Sequence, residues 1–122
     1  MSFKIIDNYL SKEDNLILIS GLEEINFPWF FCNKITGDDP KNLFNMQFHH
    51  TFYYVDPILK RLKPLSLIKL KANITPISHK LVKYKTHVDQ TFKCKVGIYY
   101  VNDNNGYTVI KGKKIESKKN RM

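Results

Sequence analysis

The apolar residues of this chain follow two regimes. Up to about residue 65 they cluster in helical or aromatic runs, and from Ser66 onward they alternate with polar residues, mostly lysines, as β strands do. The first regime opens with Leu10-Ser11-Lys12-Glu13-Asp14, a helix start in which Ser11 serves as N-cap and two acids oppose the helix dipole. The helix expected from there runs to Gly21 and turns Leu16, Ile17, Ile19 and Leu22 inward. Phe27-Pro28-Trp29-Phe30-Phe31 reads as an aromatic strand or strand edge, because proline is tolerated at a strand's margin. Thr36 to Asn42 reads as a polar loop, Gln47 to Val55 as a second strand, and Asp56 to Lys63 as a short helix with Pro57 in its first turn.

The second regime predicts strands over Leu67–Ile74, Lys83–Asp89, Lys95–Asn102, Tyr107–Lys111 and Lys113–Ser117. Asn104-Asn105-Gly106 and Gly112 supply the tight turns between the last three. Helices first and strands later predict an α+β fold, mainly β. We expect one domain over 1–122, with helical and strand support over about 1–65 and a jelly-roll core over about 66–122.

Composition narrows the class. A chain of 122 residues with 43% hydrophobic and 13% aromatic content is long enough for one core and too apolar for disorder. No apolar run reaches the length of a membrane span, and Asp7 interrupts the short apolar stretch at the N-terminus, so a cytoplasmic protein without a membrane partner is expected. Cys32 and Cys94 fit no metal or redox spacing and read as reduced thiols. Charge divides unevenly: residues 1–56 hold four Lys and eight acids, net −4, whereas 57–122 hold 16 Lys plus Arg and three acids, net +13. The basic half would draw an anionic ligand or a nucleic acid. Lysine outnumbers arginine 18 to 2, which argues against base-specific readout.

The candidate chemistry lies in that basic half. His87 and Asp89 are two residues apart in a segment read as extended, so both side chains face one way and can close on one cation. Such a pair makes up two thirds of a facial triad of two histidines and a carboxylate, the set that leaves positions open on Fe(II). His49, His50 and His79 are the candidates for a third ligand. Nothing in their spacing recommends them, and His49 and His50, being adjacent, would face opposite ways. A His-x-acid spacing is weakly selective by itself, so the surrounding residues carry the argument.

Those surroundings are Lys71-Ala72-Asn73, Tyr84-Lys85-Thr86-His87-Val88-Asp89-Gln90, Ile98-Tyr99-Tyr100-Val101-Asn102, Asn105-Gly106-Tyr107-Thr108, Glu116-Ser117 and Asn120-Arg121-Met122, preceded by Lys4-Ile5-Ile6-Asp7-Asn8-Tyr9-Leu10-Ser11-Lys12-Glu13. In this order they resemble the Fe(II)/2-oxoglutarate oxygenase superfamily, in particular its prolyl-hydroxylase-like branch and the small oxygenases of bacterial viruses. The resemblance implies a double-stranded β-helix, Fe(II) as cofactor and 2-oxoglutarate as cosubstrate. It makes His87 and Asp89 metal ligands and gives Tyr100, Asn73 and Tyr84 to the cosubstrate, with Tyr100 rather than Tyr99 as the inward tyrosine. In the family a distal histidine and an arginine follow the Asn-Arg-Met position, beyond Met122 here, so the jelly roll expected within these residues is incomplete. Two alternatives follow. One is a truncated or split oxygenase, inactive alone, that associates with itself or with a complementing C-terminal fragment. The other is a basic module that binds nucleic acid. The primary substrate, a small molecule or a peptide, is left open, and a virus-encoded member would work in the host cytoplasm.

Overall fold

A computed structural model describes residues 2–32, 45–49 and 55–122, with the backbone alone for 45–49. The fold belongs to the α+β class, with helices α1 (Lys12–Glu23) and α2 (Asp56–Leu62) and strands β1 (Phe30–Cys32), β2 (Asn45–His49), β3 (Lys71–Ile74), β4 (Tyr107–Ile110) and β5 (Lys113–Glu116). The strands form two antiparallel sheets, β1-β2-β3 and β4-β5. The loop expected over Thr36–Asn42, His50, and the Thr51–Tyr54 part of the second expected strand lie outside the described residues.

Local chemistry accounts for the helices. The Ser11 hydroxyl accepts the Asp14 N–H at 3.1 Å, with Glu13 and Asp14 in the first turn of α1. α2 begins with Asp56 and Pro57, ends with Lys60 and Arg61, and stops where Lys63 turns left-handed (φ 48°) and gives its N–H to the Leu59 carbonyl. Gly21 lies inside α1, which runs on to Glu23. The inward face of α1 also differs from the expected one. Leu18 is fully buried and Asn15 is buried beside it, with Leu22 packed on the same core, while Leu16 and Ile17 are exposed. A buried asparagine needs partners, and Asn15 finds one in the Tyr99 hydroxyl at 2.5 Å. That contact fixes the face that α1 presents.

The core gathers Tyr9, Leu10, Leu18 and Val55, with Ile6, Leu22, Ile58, Leu59, Leu70, Tyr99 and Met122 against it. Around it residues 120–122 lie between two other extended segments. Met122 exchanges both backbone hydrogen bonds with Ile6 (2.9 and 3.0 Å), and the Asn120 carbonyl accepts the Tyr9 N–H at 2.9 Å. Across the other edge the Asn120 N–H is given to the Tyr100 carbonyl, and the Arg121 carbonyl accepts the Tyr100 N–H, both at 2.9 Å. Asn8 (φ 51°) and Asn120 (φ 61°) take the left-handed conformation that asparagine tolerates better than most residues.

The β4-β5 hairpin turns through Lys111 (φ 50°) and Gly112 (φ 77°), the two positive values that a two-residue type I′ turn requires. Before it, the Asn104 side chain accepts the Gly106 N–H at 2.7 Å, and a Cβ on Gly106 would meet that same oxygen at 2.7 Å. A side chain at 106 would therefore displace the Asn104 side chain from that bond.

Two expected strands are not formed. Residues 83–89 carry no ladder, and of 95–102 only Tyr100 pairs, in a bridge to Arg121. A strand needs a neighbour in hydrogen-bond register as well as an alternating pattern. Val88, Phe92 and Val96 remain exposed accordingly. The first β run is likewise shorter than expected, Lys71–Ile74 in place of Leu67–Ile74.

Candidate metal centre

His87 and Asp89 come together without a strand to align them. Nε2 of His87 lies 3.4 Å from Oδ1 of Asp89, and both side chains are more than half exposed. Nδ1 of His87 lies 3.3 Å from the Lys85 carbonyl oxygen. A carbonyl only accepts, so Nδ1 is the donor to Lys85; when Nε2 carries no proton, its lone pair faces the carboxylate. Two acceptor atoms facing each other at this distance call for a positive charge between or upon them. Protonation of His87 supplies one, giving an ordinary ion pair; a bound divalent cation supplies the other. The second arrangement fits the donor set, because metal bonds of roughly 2.0–2.2 Å hold adjacent ligand atoms about 3 Å apart. A carbonyl accepting the remote ring N–H is also the usual support of a ligating histidine.

Among the described residues no third His, Cys, Asp or Glu joins the pair. His79 stands apart, the His49 side chain and His50 are outside the described residues, and the His49 backbone pairs opposite Lys71 on β3. Lys71 is held below the ordinary lysine range, first by desolvation and then by Lys69, while Cys32 and Asp89 pull the other way. Asp89 is thus within electrostatic reach of the three-stranded sheet. Cys32 and Cys94 are free, half-buried thiols.

The residues assigned to the cosubstrate lie on separate segments of the chain. Asn73 is exposed on β3, in register with Gln47. Tyr84 is half-buried three residues before His87. Tyr100 is half-buried and donates its hydroxyl proton to Thr108 Oγ1 at 2.7 Å. It is Tyr99 that packs on the core, its ring 6.4 Å from that of Tyr9.

Sequence reasoning missed the polar knot around Tyr99. Asn120 Oδ1 accepts the Leu10 N–H at 2.8 Å, and its Nδ2 donates to the Leu10 carbonyl at 2.9 Å. The Tyr99 hydroxyl is 2.8 Å from the same Oδ1 and 2.5 Å from the Asn15 amide. One hydroxyl proton cannot serve two acceptors. The hydroxyl faces Oδ1 of both asparagines, and the shorter contact, to Asn15, takes the proton. Burial pushes the Tyr99 phenol up to about 12. Beside the knot, Arg121 donates from Nε and Nη2 to the two Asp7 oxygens at 2.6 and 3.1 Å and from Nη1 to the Glu116 carbonyl at 3.1 Å. The only sequence signal was that Asn120 and Arg121 stood in the family-like Asn-Arg-Met run; Leu10 and Asp7, more than 100 residues away, left no local trace.

The chain matches no family model, no curated protein and no solved structure. Among the described residues, no helix is long and apolar enough to cross a membrane.

Proposed function

We propose that the chain is a protein of the Fe(II)/2-oxoglutarate oxygenase type, built on an incomplete jelly roll, in which His87 and Asp89 hold the metal. The observation that carries this reading is the facing of His87 Nε2 and Asp89 Oδ1 at 3.4 Å, with Nδ1 turned to the Lys85 carbonyl. When bound, the metal and 2-oxoglutarate would supply hydroxylation coupled to decarboxylation, with succinate and carbon dioxide as coproducts. The chain's own residues would do the holding: Lys85 sets the histidine tautomer, His87 and Asp89 present the ligand atoms, and Tyr100, Asn73 and Tyr84 are assigned to the cosubstrate.

A second reading rests on a separate observation, the lack of a third His, Cys, Asp or Glu beside the pair among the described residues. In that reading the protein is not catalytic alone and is completed by a C-terminal partner fragment or by self-association. Anaerobic titration with Fe(II), with and without 2-oxoglutarate, separates the two. Tight binding that 2-oxoglutarate strengthens, and that His87→Ala and Asp89→Ala each abolish, supports the oxygenase. Binding no better in the parent than in the variants removes it and leaves the completed assembly to be tested.

A further inference from the structure

The loop that leads into the β4-β5 hairpin, Asn102-Asp103-Asn104-Asn105-Gly106, stands apart from the metal pair and carries chemistry of its own. Asn105 is the one asparagine of the chain that precedes a glycine. The side-chain amide of an asparagine is open to attack by the backbone nitrogen of the next residue, and a glycine there puts no Cβ beside the ring that forms. Asn105 is exposed, and among the described residues no hydrogen bond holds its side chain. It borders a depression open to water.

The attacking nitrogen, by contrast, is engaged. The Gly106 N–H is given to Asn104 Oδ1 at 2.7 Å, while Asn104 Nδ2 donates to Asn102 Oδ1 at 2.9 Å. The two bonds agree on how the Asn104 amide is turned, since a backbone N–H only donates and must face the oxygen. That oxygen also fills the space beside the nucleophile, 2.7 Å from where a Cβ on Gly106 would lie. Asp103 pins the loop from its other side, its carboxylate accepting the Lys119 N–H at 2.8 Å. A backbone nitrogen attacks an amide carbon only after giving up its proton, and a neutral amide oxygen bonded to that proton stabilises the unreactive form.

We propose that Asn105 is a site of spontaneous deamidation and that Asn104 restrains it by holding the Gly106 N–H. In the reaction the Gly106 nitrogen bonds to Asn105 Cγ, the Cγ–Nδ2 bond breaks, and ammonia leaves with the proton that the nitrogen lost. Water then opens the five-membered imide at one carbonyl or the other, giving aspartate, or isoaspartate with one more methylene in the main chain. Isoaspartate lengthens the backbone next to Gly106, whose carbonyl accepts the Ser117 N–H at 3.1 Å at the mouth of the hairpin. The reaction needs neither metal nor cosubstrate.

Incubation of the full chain in mildly alkaline buffer at physiological temperature tests the proposal. Peptide mass mapping reads the gain of one mass unit at residue 105, and labelling by an isoaspartate methyltransferase reads the rearranged product. The parent should deamidate slowly at that position. Asn104→Ala removes the acceptor and should react about two- to tenfold faster, the factor that one net hydrogen bond is worth. Asn104→Asp gives up the bond to Asn102 but keeps an oxygen for the Gly106 N–H, and should react no faster than the parent. In denaturant, where no loop is held, the parent and Asn104→Ala should react at one rate. No mass gain at 105 in any variant overturns the proposal. So does a folded Asn104→Ala no faster than the parent, an Asn104→Asp as fast as Asn104→Ala, or a difference between parent and Asn104→Ala that persists in denaturant.

Discussion

Asn120 and His87 are both polar side chains with named partners, yet they belong to regions held by different means. Asn120 is buried and joins Leu10, 110 residues away, through both amide atoms, Tyr99 through its oxygen, and Tyr9 and Tyr100 through its backbone. His87 sits in solvent, and its bonded neighbours, Lys85 and Asp89, are two residues to either side. In the first region removing one group strands several others away from water. In the second, water replaces whatever is lost. Such a contrast is expected between a scaffold and a site that exchanges its ligands with solvent.

Substitutions should widen the contrast. Leu18→Ala removes the fully buried side chain at the centre of the core and should cost about 2–5 kcal/mol in denaturant unfolding. Asn120→Ala leaves the Leu10 N–H and carbonyl without side-chain partners and should cost about 2–3 kcal/mol. If Asn120→Ala instead unfolds at the parent midpoint, the knot is not what holds the two segments together.

Proton linkage sharpens the same contrast at both ends of the pH scale. The Asp7 carboxyl is held below its ordinary 3.8 by the Arg121 hydrogen bond first, against an opposing desolvation, with the charges of Arg121 and Lys118 adding to the lowering. Its contribution is therefore present above about pH 3.8 and lost as pH falls through the lower folded value. Tyr99 works the other way. With the folded phenol raised from 10.0 to about 12, its contribution is complete below pH 10 and is lost as pH rises from there toward 12. The stability difference between parent and Asp7→Asn should shrink below pH 3.8, and that between parent and Tyr99→Phe should shrink above pH 10; flat differences would mean that neither group is coupled to folding.

The smallest effect belongs to the candidate site. Without added metal, His87→Ala and Asp89→Ala should each change stability by no more than about 0.5 kcal/mol. A loss above 1 kcal/mol in either would place the pair among the scaffold residues and end the comparison drawn above.

What could be read from the residues, and what could not, divides along the same line. Ser11 with its following acids, Asp56-Pro57, and the glycine at 112 announce their structures because each acts on backbone within three residues of itself. The pairing of His87 with Asp89 was legible for the same reason of nearness, although a bend and not a strand brings them together. The strands expected over 83–89 and 95–102 were not reliable, because alternation describes a surface and says nothing about a neighbour to bond it. The inward face of α1 was misassigned because hydrophobicity ranks Leu16 and Ile17 above Asn15, while the hydrogen bond to Tyr99 reverses that order. Whether Tyr99 or Tyr100 met the core depended on Asn120, which adjacent residues do not reveal.

The tie between Leu10 and Asn120 also has a consequence in time. A ribosome that adds about 5–20 residues per second needs roughly 6–22 s to cover the 110 positions separating the two, so Tyr9 and Leu10 wait that long for the side chain that seals them. Throughout that interval Leu18, Val55 and Leu59 are already available to pack on Tyr9 and Leu10, but the Leu10 backbone lacks the amide that closes it, and a holding chaperone has its longest opportunity there.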